Sequence, residues 1–180
     1  MIKDKNIVVG ISGGIAAYKA IDVVNALTKE GANVNVIMTK HALEFITPLA
    51  LETLSHNKVI TDMFSENNSK FVGHIYYGQK SDLIVIVPAT ANIIGKVANG
   101  LADDMLSSTI IAATVPILFA PAMNEYMYKN PIVQDNIDKL KRFGYEFIEP
   151  QSGHLACGTE GVGKLANTKT IIETIDKKLG

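Results

Sequence analysis

The stretch "NIVVGISGGIAAYK" (Asn6 to Lys19) decides the fold, because it joins a short apolar run to a helical pattern through a glycine turn. The run "NIVVGI" is rich in β-branched residues, which is typical of a strand. Beyond the glycines, apolar residues recur at helical spacing until a glycine ends the pattern: Ala17, Ala20, Ile21, Val24, Leu27 and Gly31. The stretch therefore predicts a strand, a tight turn and a helix.

The same alternation continues along the chain. "DLIVIVPA" (82–89) is a continuous apolar run, which is typical of a central parallel strand covered on both faces. The other predicted elements are a strand at 34–38, a helix bent or started at Pro48, helices at 91–99 and 104–113, a strand at 115–122, a helix up to Gly144, a strand at 145–148, and a last helix begun by a capping box of Thr170 and Glu173. We therefore predict one α/β domain over residues 1–180, a Rossmann-like (flavodoxin-like) doubly wound parallel sheet with helices on both faces.

Residues 149–166, "EPQSGHLACGTEGVGKLA", interrupt this alternation. They hold four glycines and show no regular period. A loop of this length in a compact domain is usually functional or disordered. We therefore expect this segment to carry part of a site.

Composition and charge exclude several classes of partner. The chain has 17 Lys plus Arg against 18 Asp plus Glu, so no net field draws it to nucleic acid or to anionic lipid. The longest apolar stretch, 110–123, is broken by two prolines and is too short to span a bilayer, so we expect a cytoplasmic protein. The single cysteine, Cys157, cannot form an internal disulfide. No His, Cys or Asp cluster has metal-ligand spacing, and a small organic ligand is therefore expected, without a metal.

In a doubly wound sheet, a ligand lies beyond the carboxyl ends of the strands, where helix starts attract phosphate. The neutral donors expected at those ends are Ser12, Gly13 and Gly14 after the first strand, Thr39 after the second, and Thr90, Ala91 and Asn92 after the third. A dinucleotide site would normally have Asp or Glu in place of Thr39. Neutral donors from three strand ends suit one phosphate monoester, which favours FMN over NAD. The alternative is a glycine turn that only lets helix and strand pack.

Four segments, "GISGGIAAYK", "GHIYYGQKSD", "PATAN…PAMNEYM" and "ACGTEGVGKL", occur in an order and spacing that resemble the homo-oligomeric flavin-containing cysteine decarboxylases. The resemblance covers about Asn6 to Asn167. Two positions depart from the family pattern, since Tyr128 replaces a tryptophan and "PATANI" replaces Pro-Ala-Ser-Ala-Asn-Thr. The resemblance implies FMN as cofactor, with Ala122 among its contacts, and a homotrimer or homododecamer whose subunits share the flavin site.

The activity implied by the resemblance is decarboxylation of 4′-phosphopantothenoylcysteine to 4′-phosphopantetheine, in coenzyme A biosynthesis. Direct loss of CO2 from a cysteine-derived carboxylate would leave a carbanion with no neighbouring electron sink. Oxidation of the thiol carbon to a thioaldehyde by FMN allows sulfur to accept those electrons as an enethiolate, and the reduced flavin then returns its electrons. The net reaction is not a redox one.

The resemblance also assigns roles to residues. His74 would accept the thiol proton, Asn124 would orient the substrate carboxylate, and Cys157 would protonate the enethiolate or assist flavin reoxidation. The segment 149–166 resembles a flexible clamp that closes over substrate. The further substrate contacts implied are Met127, Ala156, Gly158 and Lys164.

Simpler interpretations stand beside these roles. His74 can be a structural histidine, Asn124 can cap a helix that begins near Glu125, and Cys157 can be a small buried residue. Asp103 and Asp104 are expected to cap a helix rather than to act in catalysis. Two other functions stay open: decarboxylation of a peptide that ends in cysteine, and non-catalytic FMN binding in a regulatory protein.

Overall fold

The computed structural model describes residues 2–64, 73–154, 158 and 160–180. Over these residues, five parallel strands form a sheet in the order β2-β1-β3-β4-β5, and two antiparallel strands pair separately. The strands are β1 Asn6–Ile11, β2 Asn33–Met38, β3 Leu83–Ala89, β4 Ile117–Pro121, β5 Glu146–Phe147, β6 Gln151–His154 and β7 Glu160–Lys164.

Helices connect the parallel strands and cover both faces of the sheet. They are α1 Ala20–Lys29, α2 Pro48–Ser55, α3 Gly73–Lys80, α4 Ala91–Ala98, α5 Met105–Ile111, α6 Glu125–Lys129, α7 Pro131–Arg142 and α8 Thr168–Leu179, with 3-10 helices at Ile15–Lys19 and Lys40–Glu44. Helices α1, α2 and α8 pack on one face, and α3, α4, α5 and α7 pack on the other. None of the described helices has both the length and the apolar character needed to cross a membrane.

The order of the strands locates the candidate site. All seven residues of β3 are buried, as the continuous apolar run predicts for a central parallel strand. From β1 the chain runs outward to β2 and then crosses back to β3 on the other side of β1. A reversal of this kind opens a crevice at the carboxyl ends of the strands, where ligands bind in α/β sheets. The predicted flavodoxin-like class is confirmed.

The last helix begins earlier than predicted, so the capping box of Thr170 and Glu173 is wrong. Helix α8 starts at Thr168, and the Asn167 side chain accepts a hydrogen bond from the Thr170 N–H at 2.8 Å. Thr170 therefore lies inside the first turn. Asparagine and threonine both suit a cap, and the fold selects Asn167, the residue directly after the buried pair Leu165 and Ala166.

Two elements go beyond the sequence prediction. Helix α3 covers "GHIYYGQK", and the glycine-rich segment 149–166 contains the antiparallel pair β6 and β7. Gly78 allows α3 to lie close to the end of α5, because a Cβ at that position would be 2.9 Å from the Thr109 carbonyl oxygen. The close approach at Gly78 and the packing of Tyr77 against the core together position this helix.

Candidate active site

The loop after β1 lies between the residues that follow β2 and β3. A Cβ on Gly13 would overlap the side chain and backbone of His41, which follows β2. A Cβ on Gly14 would be 3.3 Å from the Thr90 methyl carbon, which follows β3. The structure therefore brings the three predicted strand ends together, and the two glycines allow the close approach.

Ser12 joins the ends of β1 and β3. Its side chain is buried, and its hydroxyl donates to the Pro88 carbonyl at 2.7 Å. The Thr90 N–H donates to the Ser12 Oγ at 3.1 Å, and the Thr90 hydroxyl oxygen lies 3.0 Å from it. These contacts hold Thr90 at the start of α4.

Two helices begin at this junction without a cap from their own side chains. Thr90 precedes α4 and Gly14 precedes the 3-10 helix Ile15–Lys19, and neither makes a side-chain cap hydrogen bond. The first N–H groups of a helix have no partner within it, and together with the helix dipole they attract an anion. A phosphate monoester fits this cradle of glycine backbone, threonine hydroxyl and helix N–H groups. The Ala91 and Asn92 N–H groups belong to the α4 start.

Thr39 has a structural role in addition to its predicted one. It caps the 3-10 helix Lys40–Glu44, and its hydroxyl oxygen accepts from the Ala42 N–H at 3.3 Å. A threonine hydroxyl that accepts in this way still carries its own proton, which it can donate. Thr39 is therefore able to contribute one donor at the end of β2.

The end of β4 lies between β3 and the hairpin strand β7. The Ala122 N–H donates to the Ala89 carbonyl at 3.1 Å, and the Met123 N–H donates to the Gly163 carbonyl at 3.0 Å. The next residue, Asn124, caps α6, since its Oδ1 accepts from the Tyr126 N–H at 2.9 Å. The cap interpretation of Asn124 is thus confirmed. The cap uses the amide oxygen, and the amide nitrogen is the part of this side chain that can donate to a carboxylate.

Strand β7 faces the start of α6 with two glycines. A Cβ on Gly163 would overlap the Met123 carbonyl oxygen, and a Cβ on Gly161 would overlap the Glu125 carboxylate. The predicted substrate contact Lys164 follows on the same strand, and its Nζ is 3.8 Å from the position of a Cβ on Gly153. The hairpin therefore packs directly beside Asn124. The alternating glycines of "EGVGK" were the sequence signal for this contact.

His74 lies in the first turn of α3, half-buried, at a different part of the sheet. Tyr76 and Tyr77 of α3 line a cavity of about 190 Å³ together with residues of β1 and β2, so this helix lies beside those two strands. Asn124 follows β4, and two strands separate β2 from β4. With neighbouring strands about 4.8 Å apart, β2 and β4 are roughly 14 Å apart. One chain therefore places His74 and Asn124 at different positions across the sheet.

The remaining predicted residues divide into two groups. Cys157 and Ala156 lie outside the described residues. Gly158 is exposed with a φ of +85°, and Met127 is exposed on α6. Among the described residues, no group of three His, Cys, Asp or Glu side chains is placed to hold a metal ion.

Tyr128, the residue that departs from the family pattern, joins α6 to the base of the hairpin. Its hydroxyl donates to the Glu149 carboxylate at 3.2 Å, and Lys141 pairs with the same carboxylate at 3.3 Å. Burial, followed by the nearby Glu149 charge, raises the pKa of Tyr128 to about 12. The phenol therefore stays protonated at neutral pH and remains a donor to Glu149.

The fold, with a candidate phosphate cradle at the ends of its strands, defines a flavodoxin-like protein. The chain belongs to the Flavoprotein family, whose model matches residues 1–180. It is 48% identical over 177 residues to the coenzyme A biosynthesis bifunctional protein CoaBC of Bacillus subtilis, covering 98% of this chain and 44% of that protein. It is 46% identical to a probable phosphopantothenoylcysteine decarboxylase of Streptococcus mutans, covering 97% of this chain and 99% of the relative. The chain thus spans less than half of the bifunctional relative.

Solved structures show the same similarity. A PPC decarboxylase mutant complexed with pantothenoylaminoethenethiol superposes with a TM-score of 0.88 and 31% identity, covering 97% of this chain and 98% of that chain. The FMN binding protein AtHal3 superposes with a TM-score of 0.85 at 31% identity, covering 97% of this chain and 96% of that chain. The FMN-dependent cysteine decarboxylase SpaF superposes with a TM-score of 0.84 at 30% identity, covering 97% of this chain and 96% of that chain. The family predicted from the four sequence segments is confirmed.

Proposed function

We propose that this chain is an FMN-dependent decarboxylase that converts 4′-phosphopantothenoylcysteine to 4′-phosphopantetheine and CO2, a step of coenzyme A biosynthesis. The observation that carries the proposal is the similarity to the Streptococcus mutans relative, at 46% identity over 97% of this chain and 99% of the relative. The site geometry agrees with it, since a cradle for a phosphate and an amide donor lie at the same sheet edge.

FMN is the cofactor of this proposal, in agreement with the sequence-based prediction. The family is one of flavoproteins, and solved neighbours are described as FMN-binding or FMN-dependent. The cradle of Gly13, Gly14 and Thr90 with the first N–H groups of α4 would hold the flavin phosphate, with Thr39 and Ala122 beside it. When bound, the flavin supplies reversible two-electron oxidation at the thiol-bearing carbon of the substrate.

The side chains of the protein orient the substrate and handle its protons. The neutral Asn124 amide donates to the substrate carboxylate without a strong ion pair, which would stabilise the ground state and oppose CO2 loss. His74 accepts the thiol proton, since histidine exchanges protons near neutral pH. Cys157 returns a proton to the enethiolate carbon. Cys157 precedes strand β7 by three positions in the sequence, and β7 packs beside Asn124.

We propose further that the active form is a homo-oligomer, a trimer or an assembly of trimers such as a dodecamer. Large apolar side chains are exposed where helices begin near the carboxyl edge of the sheet, namely Ile15 at 60%, Leu49 at 70%, Tyr126 at 77% and Ile132 at 72%. Exposed apolar surface of this kind is typical of an interface. A rotationally symmetric, head-to-tail contact places different parts of neighbouring chains together. His74 of the partner subunit would then complete the site around Asn124.

The decisive test is an assay with two substrates. Purified protein reconstituted with FMN is incubated with phosphopantothenoylcysteine or with a peptide ending in cysteine, and mass spectrometry looks for a product lighter by CO2. We expect conversion of the first substrate, no conversion in His74→Asn, and an oxidised intermediate accumulating in Cys157→Ser. Conversion of the peptide alone would establish a peptidyl-cysteine decarboxylase instead. A protein that binds FMN but converts neither substrate would be a regulatory FMN-binding protein.

The shared site has its own test by subunit mixing. His74→Asn and Asn124→Asp proteins, each inactive alone, are unfolded together, refolded and assayed. If the two residues act from different chains of a trimer, random mixing restores both groups in about a quarter of the sites. If both act from one chain, the mixed protein stays inactive.

A further inference from the structure

We propose that Ser12 is a positioning residue: its hydroxyl orients Thr90, and the Thr90 hydroxyl, not that of Ser12, donates to the flavin phosphate. This inference rests on the proposed function, because it takes FMN as the ligand of the cradle. It differs from the sequence-based expectation, which counts Ser12 among the donors to the phosphate.

The hydrogen bonds of Ser12 account for its only proton. A serine hydroxyl has one O–H donor and two acceptor lone pairs. The Pro88 carbonyl can only accept, and it lies 2.7 Å from the Ser12 Oγ, so the Ser12 proton is directed there. No proton of Ser12 is then left for a ligand. The residue is also only 2% exposed, which removes it from the surface that a ligand contacts.

The two lone pairs of Ser12 face Thr90. One accepts the Thr90 N–H at 3.1 Å, which anchors the start of α4 to the end of β1. The other lies 3.0 Å from the Thr90 hydroxyl oxygen. Since the one Ser12 proton is directed to Pro88, we infer that the Thr90 hydroxyl is the donor in this pair. The Ser12 hydroxyl thus contacts both the backbone N–H and the side-chain hydroxyl of Thr90.

Thr90 has the properties that a phosphate donor needs. It is partly exposed, and its methyl carbon would be 3.3 Å from a Cβ on Gly14, so the side chain lies beside the glycine loop. Its hydroxyl proton can rotate from the Ser12 oxygen to an anion without movement of the backbone. A hydrogen bond to a charged phosphate is stronger than one to a neutral hydroxyl, which favours that rotation.

The test measures flavin affinity in a double-mutant cycle of Ser12→Ala and Thr90→Val. Dissociation constants are measured for FMN and for riboflavin, which lacks the phosphate. We expect each single variant to weaken FMN binding by about tenfold and to leave riboflavin binding within about twofold of the wild type. In the double variant, the loss for FMN should be clearly smaller than the product of the single losses, because Ser12 acts through Thr90.

Other results would overturn the inference. Multiplied losses in the double variant would mean that Ser12 contacts the phosphate independently. An equal loss for riboflavin would mean that Ser12 only maintains the shape of the loop. The control is Ser107→Ala, which removes another buried serine hydroxyl, at the start of α5, and should lower stability with no change in FMN affinity. If Ser12→Ala does not fold, Ser12→Cys replaces it, since it keeps the volume and weakens the hydrogen bonds.

The wild-type protein separates this inference from the proposed function. A wild type that binds neither flavin contradicts the proposed function itself. A wild type that binds FMN, with independent effects of the two substitutions, contradicts only the role of Ser12.

Discussion

The helices of this protein begin in two different ways. Helices α5, α7 and α8 carry their own cap, since Asp104, Asn130 and Asn167 each accept a backbone N–H of the helix that they precede. Helix α2 has no side-chain cap, but it begins with Pro48, which has no N–H to satisfy. The two helix starts that meet at the Ser12–Thr90 junction have no such side-chain cap. The first N–H groups of a helix need a partner, so these two starts are the ones that can offer N–H groups to the phosphate of the proposed cofactor.

Helix α6 starts at the candidate site and also has a side-chain cap. It begins at the same sheet edge as the uncapped helices, yet Asn124 caps it through Oδ1. The comparison therefore suggests that Asn124 has two roles, with its oxygen stabilising the helix and its nitrogen contacting the substrate. Substitutions that keep one role and remove the other can separate them.

The largest effect is expected for Asn124→Asp. Aspartate caps a helix about as well as asparagine, so stability should change by less than about 0.5 kcal/mol. It replaces the amide donor by a second carboxylate facing that of the substrate, and turnover should fall by about a hundredfold or more. Urea unfolding and steady-state kinetics measure the two quantities.

Asn130→Asp is the matched control for that substitution. Asn130 caps α7 through a bond to the Ile132 N–H at 2.9 Å, in the same manner and only six positions further along. We expect wild-type turnover and wild-type stability. Normal turnover in Asn124→Asp as well would reduce Asn124 to a helix cap.

Gly163→Ala tests whether β7 holds the capped start of α6. The glycine has a φ of +131°, and a Cβ there would overlap the Met123 carbonyl oxygen. Backbone strain and the forced displacement of β7 should together lower the free energy of unfolding by about 2–3 kcal/mol, with turnover reduced in parallel. Gly144→Ala is the control, because φ there is +91° and no atom lies within 4 Å of the added Cβ. An equal loss in both variants would assign the effect to strain alone.

Ala91→Pro tests the uncapped start of α4 directly. Ala91 is the first helical residue, where proline is tolerated, and Thr90 already has the extended conformation that must precede a proline. The substitution removes one N–H from the phosphate cradle, so FMN affinity should fall by about tenfold while riboflavin affinity is unchanged. Thr168→Pro makes the same change at the first position of α8 and should leave both affinities unaltered. Unchanged FMN binding in Ala91→Pro would show that this N–H does not contact the phosphate.

Much of the sheet could be predicted because apolar periodicity reflects burial. Residues 83–89 of the apolar run form the central, fully buried strand β3, and the helix expected at Pro48 begins at that residue. The hairpin of β6 and β7 could not be predicted in this way. Its strands hold no apolar alternation, and backbone pairing together with the contact between Gly163 and Met123 fixes its place.

The candidate site shows the same limit. The side chains at the strand ends follow from topology, because parallel strands bring their carboxyl ends to one edge. The direction of each hydrogen bond does not follow from topology. The sequence therefore predicts Ser12 as a phosphate donor, although its proton is directed to Pro88. The separation of His74 from Asn124 depends on the strand order, which periodicity alone does not determine.

The smallest effect concerns a capped helix start away from the site, and it depends on pH. Burial would raise the pKa of Asp104, but hydrogen bonds from Lys96 and from Ser107 outweigh it, and the pKa is lowered. A lowered pKa stabilises the folded state above the ordinary carboxyl pKa of about 3.9, and this stabilisation is lost as the pH falls through the folded-state value. Asp104→Asn keeps a cap acceptor and removes the charge. We therefore expect it to be less stable than the wild type by about 1 kcal/mol at pH 7, and the difference to shrink as the pH falls below about 4 towards the lowered folded-state pKa.

Asp103→Asn provides the comparison, because Lys96 pairs with both carboxylates, at 2.7 Å for Asp103 and 2.8 Å for Asp104. The Asp103 side chain is 64% exposed against 28% for Asp104, so water screens its pair with Lys96 more strongly. Removal of the Asp103 charge should change the free energy of unfolding by less than about 0.5 kcal/mol at any pH. Urea unfolding of the two variants and the wild type between pH 3 and 7 measures this difference. Wild-type stability of Asp104→Asn at every pH would mean that the cap oxygen, which asparagine keeps, and not the charge stabilises the start of α5.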